Sequence, residues 1–299
     1  MPAALAIVGP TASGKSALAL ALARAHPGEI ELVSADAMQV YRGMDIGTAK
    51  PTPAEQAEVP HHLIDVVDPW EDFSLARFIE LGRAAIADIE GRGKRAVIVG
   101  GTGLYMRGLV DDLDVPGQFP QARAEVEAEP DTGALHRRLA ELDPLAASRM
   151  EPTNRRRIVR ALEVTIGADR PFSTFGAGLG AYPPVATRQF GLAVPFDVLD
   201  ERIDARVIHM LDNGFLDEVR ALVELPHPPS RTAGQALGYR ELADYVAGRI
   251  TFGDAVLGIK QRTRRFARRQ GRWFRRDPRV EWLDGRTRSD ELVKLAAHQ

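Results

Sequence analysis

Gly9-Pro10-Thr11-Ala12-Ser13-Gly14-Lys15-Ser16 satisfies G-x-x-x-x-G-K-[ST] at every fixed position. The flanks suit the motif. Ala3-Ala4-Leu5-Ala6-Ile7-Val8 is short and apolar, as a buried strand is, and Ala17-Leu18-Ala19-Leu20-Ala21-Leu22-Ala23 strongly favours helix. Strand, Gly-bearing turn and helix N-terminus together make an anion cradle, because backbone N–H groups converge there and the helix dipole adds partial positive charge. Lys15 would neutralise phosphate oxygens, and the Ser16 hydroxyl is placed to ligate Mg²⁺. A chain with this start handles a phosphate or diphosphate.

Composition narrows the setting. The 299 residues suggest about two domains, and 44% hydrophobic with 27% charged residues is ordinary for a globular protein. No apolar run approaches the roughly 20 residues of a membrane span. The apolar N-terminus has no basic leader and runs straight into the phosphate loop, so it does not read as a secretory signal. With no cysteine there is no disulfide, thiolate zinc site or cysteine nucleophile, and a cytoplasmic location is the expectation.

Further strands are expected at Ile30-Glu31-Leu32-Val33-Ser34 and Arg95-Ala96-Val97-Ile98-Val99, the second ending in Gly100-Gly101-Thr102-Gly103. A helical pattern from Ser74 to Arg92 lies between them, so β and α alternate around a parallel sheet. Ligands of such sheets bind beyond the carboxyl ends of the strands, which brings the phosphate loop, Asp36 and the Gly100–Gly103 turn to one rim. Position 106 is Met, so Gly101-x-Gly103 does not continue as a dinucleotide fingerprint. Residues 111–131 are rich in Pro, Gly and acidic side chains and mark a boundary. Helical patterns follow at Gly133–Met150 and Asn154–Ile166, then a loose stretch from Arg170 to Thr187, and a returning strand at Gln189–Val194. The expected fold is α/β: a P-loop NTPase-like parallel sheet flanked by helices, formed by residues 1–111 with 188–299, and a mostly helical insertion domain over 112–187.

The net charge of −2 hides an asymmetry. Lys260 to Arg276 contains nine Lys/Arg and no Asp/Glu. Arg262, Arg265, Arg269, Arg272 and Arg276 recur at spacings that align them on one helical face, with Phe266, Gln270, Trp273 and Phe274 beside it. A second cluster is Arg155-Arg156-Arg157 with Arg160. These are either solvated basic faces or sites for a nucleic-acid backbone, where several Arg contacts would make affinity steeply salt-dependent. For Trp273 and Phe274, packing in the core is favoured over stacking on bases. The adjacent His61 and His62 point apart in any regular element, which argues for packing and hydrogen bonding over a shared metal.

The phosphate loop and Asp36, with Tyr41-Arg42-Gly43-Met44-Asp45-Ile46-Gly47-Thr48-Ala49-Lys50-Pro51, resemble the bacterial tRNA dimethylallyltransferases, the isopentenyl-tRNA transferase family. Pro60-His61-His62-Leu63-Ile64-Asp65, Gly100–Tyr105, Arg160-Ala161-Leu162-Glu163, Gln235–Arg240, Arg268-Arg269-Gln270 and Trp273-Phe274 agree in the family's order. The resemblance implies transfer of the prenyl group of dimethylallyl diphosphate to N6 of the adenosine immediately 3′ of the anticodon in tRNA, with diphosphate leaving. Under it, Gly9, Pro10, Thr11, Ala12, Ser13, Gly14, Lys15 and Ser16 hold the diphosphate, Ser16 with Mg²⁺, and the departing group leaves whole with no phosphoryl transferred. Asp36 matches the family's general base, and Thr102 a residue near the reaction channel; Lys15 completes the catalytic set. Without the resemblance Asp36 reads equally as a helix cap or a Mg²⁺ ligand. tRNA contacts are implied at Asp36, Ala37, Met38, Gln39, Thr102, Arg123, Arg156, Arg157, Ile158, Val159, Arg160, Gln235, Arg265, Arg268 and Arg269. Ser16 stands where the family often has Thr, with the hydroxyl retained. The eukaryotic branch carries a zinc-finger extension that a chain without cysteine cannot build, so the bacterial form is the relevant one. One closed core with one insertion makes a monomer the simplest expectation. The competing expectation is a phosphate-loop kinase of a nucleotide or small metabolite, which would consume ATP.

Overall fold

Short, mostly apolar runs become strands buried on both faces, as a sheet covered by helices on each side requires. The structure, a computed structural model, describes residues 4–111, 113–176, 178–287 and 293–294. The chain begins β1 (Leu5–Val8), α1 (Lys15–Ala25), β2 (Ile30–Ser34), α2 (Pro53–Glu58), β3 (His61–His62), α3 (Leu75–Gly91), β4 (Arg95–Gly100) and α4 (Gly103–Val110). Next come α5 (Pro120–Glu127), α6 (Thr132–Leu142), α7 (Pro144–Ser148) and α8 (Arg155–Gly167). The remainder is β5 (Arg188–Ala193), α9 (Phe196–Asp212), α10 (Phe215–Val223), α11 (Tyr239–Val246), α12 (Phe252–Phe274) and β6 (Val280–Asp284). The strands form one sheet in the order β3-β2-β4-β1-β5-β6, and every pairing is parallel.

The register aligns the carboxyl ends of the central strands. Val8 stands opposite Gly100, and Ser34 opposite Val99. The loops that follow β1, β2 and β4 therefore leave the sheet along one edge, the arrangement of a P-loop NTPase-like fold. At the other end of β2, the buried carboxylate of Glu31 accepts from Arg92, Lys94 (2.8 Å) and His62 (2.7 Å). These hydrogen bonds, Arg92 foremost, hold its pKa far below the usual carboxylate range against the opposing effect of burial. His61 Nδ1 donates to the Val59 carbonyl at 2.6 Å, so the two histidines serve different partners.

The chain divides into two compact units, Met1–Asp111 with Pro184–Gln299, and Asp112–Pro183. The expected boundary at 187 falls four residues later, just before β5. In the second unit, Val126, Leu135, Leu139, Ala146, Ile158, Val159, Ala161 and Leu162 form a helical core. One helix over Gly133–Met150 was expected; instead α6 ends at Leu142 and α7 starts at Pro144. Proline has no N–H for a continuous helix, and Asp143 caps the new start by accepting from Ala146 N–H at 3.0 Å. Two strands were not anticipated, the two-residue β3 and the edge strand β6. Among the described residues no helix is long and apolar enough to cross a membrane.

Candidate active site

The phosphate loop closes on itself through Ser13 N–H to the Pro10 carbonyl (3.3 Å) and Lys15 Nζ to the same carbonyl (3.3 Å). The first helical bond of α1 runs from Leu18 N–H to Gly14 O at 3.0 Å, so the amides just before it have no partner within the helix. Ser16 is exposed at this helix start, and Ser13 Oγ is buried without a protein partner among the described residues. These features suit an anion seated on the loop. The amide of Thr11 is different. It donates to Gln270 Oε1 at 2.8 Å.

Asp36 follows β2 at the same sheet edge. Its Oδ1 accepts from Met38 N–H at 2.9 Å, a local turn that fixes the carboxylate. Ala35 N–H donates to Val99 O (2.8 Å) and Thr102 N–H to Ala35 O (3.3 Å), which stitches the β2 and β4 exits together. The Thr102 hydroxyl accepts from Ala37 N–H at 3.1 Å, leaving its own proton for another acceptor. Asp36 and Thr102 thus sit on one braced rim with the phosphate loop beside them.

The electrostatics bind this group together. Burial pushes the Lys15 ammonium down to about 8, opposed by Asp36 and aided by Arg206. Burial also lowers Arg206, with Asp36 acting against it. Arg206, on α9, has no carboxylate partner among the described residues; it is the main residue the sequence reading missed. A signal existed. Leu199, Ile203 and Val207 are the buried stripe of α9, and Arg206 lies three residues from Ile203, beside that stripe. The phenol of Tyr105 is raised by burial, with Tyr41 and Asp36 adding to the effect.

The residues expected to touch tRNA fall into several groups. Arg265 and Arg269 are exposed on α12 with no carboxylate partner among the described residues, as is Arg272. Arg268 is not like them: its guanidinium grips Asp200 (2.8 and 3.0 Å), and Arg264 grips Asp204 (2.5 and 3.1 Å). Arg276 lies beyond the end of the helix, so the stripe stops at Arg272. Phe274 is buried, and Trp273 packs against Gly103. Gln39 uses both ends of its amide internally, accepting from Ser34 Oγ (2.9 Å) and donating to the carbonyls of Thr48 and Ala49 (3.3 and 3.1 Å). Ala37 and Met38 lie between it and Asp36, and Gln235 is exposed. In the second unit Arg156 and Arg157 are exposed. Ile158 and Val159 lie in that unit's core, so their side chains face away from solvent. Arg160 and Arg123 both bind the buried carboxylate of Glu163 (2.6 and 3.4 Å).

A Mg²⁺ ion on the loop would find the exposed Ser16 hydroxyl as an oxygen donor, and the described residues hold no cluster of three or more acidic or His side chains that would cage it. That donor set fits a cation which keeps its waters and is held chiefly by phosphate oxygens.

Comparison with known proteins gives a consistent result. A family profile described as IPP transferase matches residues 39–277, and one described as isopentenyl transferase matches 2–65. The tRNA dimethylallyltransferase of Kineococcus radiotolerans is 51% identical over 96% of this chain and 92% of its own length. That of Bifidobacterium adolescentis is 47% identical over 93% and 83%. The crystal structure of a tRNA isopentenylpyrophosphate transferase from Bacillus halodurans matches with a TM-score of 0.71 and 38% identity, covering 99% of this chain and 94% of that one. A eukaryotic dimethylallyltransferase captured acting on tRNA matches with a TM-score of 0.80 and 26% identity over 95% and 74%.

Proposed function

The chain belongs to the IPP transferase family, and from that premise we propose that it transfers a dimethylallyl group to tRNA from dimethylallyl diphosphate, at N6 of the adenosine 3′ of the anticodon. The observation that carries this reading is the shared rim. Free helix-start amides, Lys15 and Ser16 stand ready for an anion, and a fixed carboxylate, Asp36, stands beside them.

The adenine amino group is a weak nucleophile, because its lone pair is delocalised into the ring. As the N6–C bond forms, the C–O bond to diphosphate breaks and N6 gives up a proton. Asp36 takes that proton, a role that contributes typically about 10²–10⁴-fold. Lys15, Arg206 and the loop amides stabilise the negative charge that accumulates on the departing diphosphate. Mg²⁺, held by Ser16 and the diphosphate, would supply further charge neutralisation. The Thr102 hydroxyl, oriented by Ala37 N–H, has its proton free to hydrogen-bond the substrate. The target base must leave its stack to reach this rim. Arg265, Arg269 and Arg272 on one unit, and Arg156 and Arg157 on the other, are proposed to bind tRNA phosphates. The proposed chemistry is complete within one chain, so the enzyme is taken as a monomer, and as cytoplasmic because its proposed substrate is tRNA.

The test is transfer of radiolabelled dimethylallyl diphosphate to unmodified tRNA with Mg²⁺. Label should enter the tRNA and be lost when the adenosine after the anticodon is changed to guanosine. Consumption of ATP without prenylation would return the loop to a kinase.

A further inference from the structure

The buried stripe in the C-terminal half of α12 reads Ala267, Gln270, Gly271 and Phe274. Three of these are apolar or small, as core positions are; Gln270 is a buried amide on the long basic helix, and both its ends are used. Its Oε1 accepts from the N–H of Thr11 in the phosphate loop at 2.8 Å. Its Nε2 donates to the carbonyl of Gly101 at 2.8 Å, in the turn that carries Thr102. The amide orientation is unambiguous, since an N–H needs an acceptor and a carbonyl needs a donor. The fit is close: a Cβ on Gly101 would lie 2.3 Å from Nε2, and one on Gly103 would lie 2.1 Å from Nε1 of Trp273, one turn further along α12. Asparagine, shorter by about one C–C bond of ~1.5 Å, could not reach both partners.

We propose that Gln270 is a positioning residue that sets the separation between the phosphate loop and the Thr102 turn, and hence between the diphosphate and the attacking nitrogen. This rests on the proposed reaction for what the two loops hold. Gln270 does not touch tRNA. Arg265, Arg269 and Arg272 are exposed on the same helix while Gln270 is buried. A small change in alignment is costly for a displacement reaction, because reacting atoms must approach to about 3–3.5 Å in line. With the Thr11 amide held by Gln270, the anion is left with the amides nearer the start of α1.

The discriminating variant is Gln270→Glu. It keeps an acceptor for Thr11 N–H but, when ionised, sets a carboxylate oxygen against the Gly101 carbonyl, two acceptors with no proton between them. Protonating that carboxyl restores the bridge. The ratio of variant to wild-type kcat should therefore be reduced at least roughly tenfold at pH 8 and climb as pH is lowered, while the Kd for tRNA stays within about twofold of wild type. The folded fraction is followed by circular dichroism at each pH. Gln270→Ala supplies a second readout: calorimetric titration with Mg²⁺ and inorganic diphosphate should show binding weakened by roughly tenfold. A ratio flat with pH, or unchanged diphosphate affinity in Gln270→Ala, overturns the assignment. So does loss of tRNA affinity with kcat intact. The wild-type enzyme separates the two layers of argument. If it fails to prenylate tRNA, the reaction reading falls and this inference with it; if it is active and the ratio stays flat, only the role of Gln270 falls.

Discussion

Two loops leave the same sheet edge and treat their polar groups in opposite ways. The Gly9–Ser16 loop keeps helix-start amides and the Ser16 hydroxyl open, and holds Lys15 by one long bond to the Pro10 carbonyl. The Gly43–Pro51 loop has its polar groups taken up by the protein around it. The Glu218 carboxylate accepts from three successive amides, Asp45, Ile46 and Gly47 (2.8, 2.7 and 3.1 Å), and from the Tyr239 hydroxyl (2.6 Å). Lys50 is buried against Asp45, Asp65 (2.6 Å) and the Tyr41 carbonyl (2.8 Å), and Thr48 Oγ1 donates to Met44 O at 2.6 Å. The second loop is the more distinctive sequence, yet its groups are occupied by protein. In this chain the more distinctive sequence records how a loop is held, while the commoner motif keeps its polar groups open.

The comparison breaks first at Asp36. Replacing Asp36→Asn keeps the acceptor for Met38 N–H and removes the charge, so turnover should drop at least about a hundredfold with tRNA affinity retained in a filter-binding assay. Unchanged turnover would remove the base. Glu218→Ala should act on the other side of the comparison. It leaves three amides and a phenol without their acceptor and should cost about 2–4 kcal/mol in urea unfolding, while Mg²⁺-diphosphate affinity stays within about twofold. A stable variant that had lost diphosphate binding would mean the two loops are not distinct in role.

A pH series sharpens the account of Lys15. Burial makes the free enzyme release this proton near pH 8, and a bound anion draws it back. Binding therefore takes up a proton above that point. kcat/KM for dimethylallyl diphosphate should be level just below about pH 8 and fall above it by up to about tenfold per unit. Lys15→Arg, which stays charged, should lack that limb at whatever activity remains. The smallest effect is expected from the basic helix. Replacing Arg265 and Arg269 together by Ala should flatten the slope of log K against log salt for tRNA by about 1.5–2. Arg268→Ala, already neutralised by Asp200, should change the slope by less; equal effects would erase the distinction between the two faces.

Much of this was legible in the residues. The phosphate loop, the two central strands after β1 and the rim with Asp36 and Thr102 follow from local pattern, because strand, turn and helix start are set by neighbours in sequence. What stayed hidden depends on partners far along the chain. Nothing near Arg268 announces Asp200, and nothing near Thr11 announces Gln270. Arg206, Glu218 and Gln270 nevertheless share a mark. Each polar side chain lies on or beside the apolar stripe of its helix, Glu218 standing three residues after Phe215 and four before Leu222. Conversely, the Arg156–Arg160 segment reads as one basic contact, yet helical geometry turns Ile158 and Val159 inward while Arg156 and Arg157 remain exposed.

On the proposed reaction, the phosphate loop holds a leaving group that departs intact. Phosphorus NMR of a reaction containing dimethylallyl diphosphate, Mg²⁺ and tRNA, with ATP omitted, tests it most directly. Inorganic diphosphate is expected as the released phosphorus product, one for each prenylated adenosine. A reaction that stalls without ATP, or that yields a transferred phosphoryl group, would contradict it.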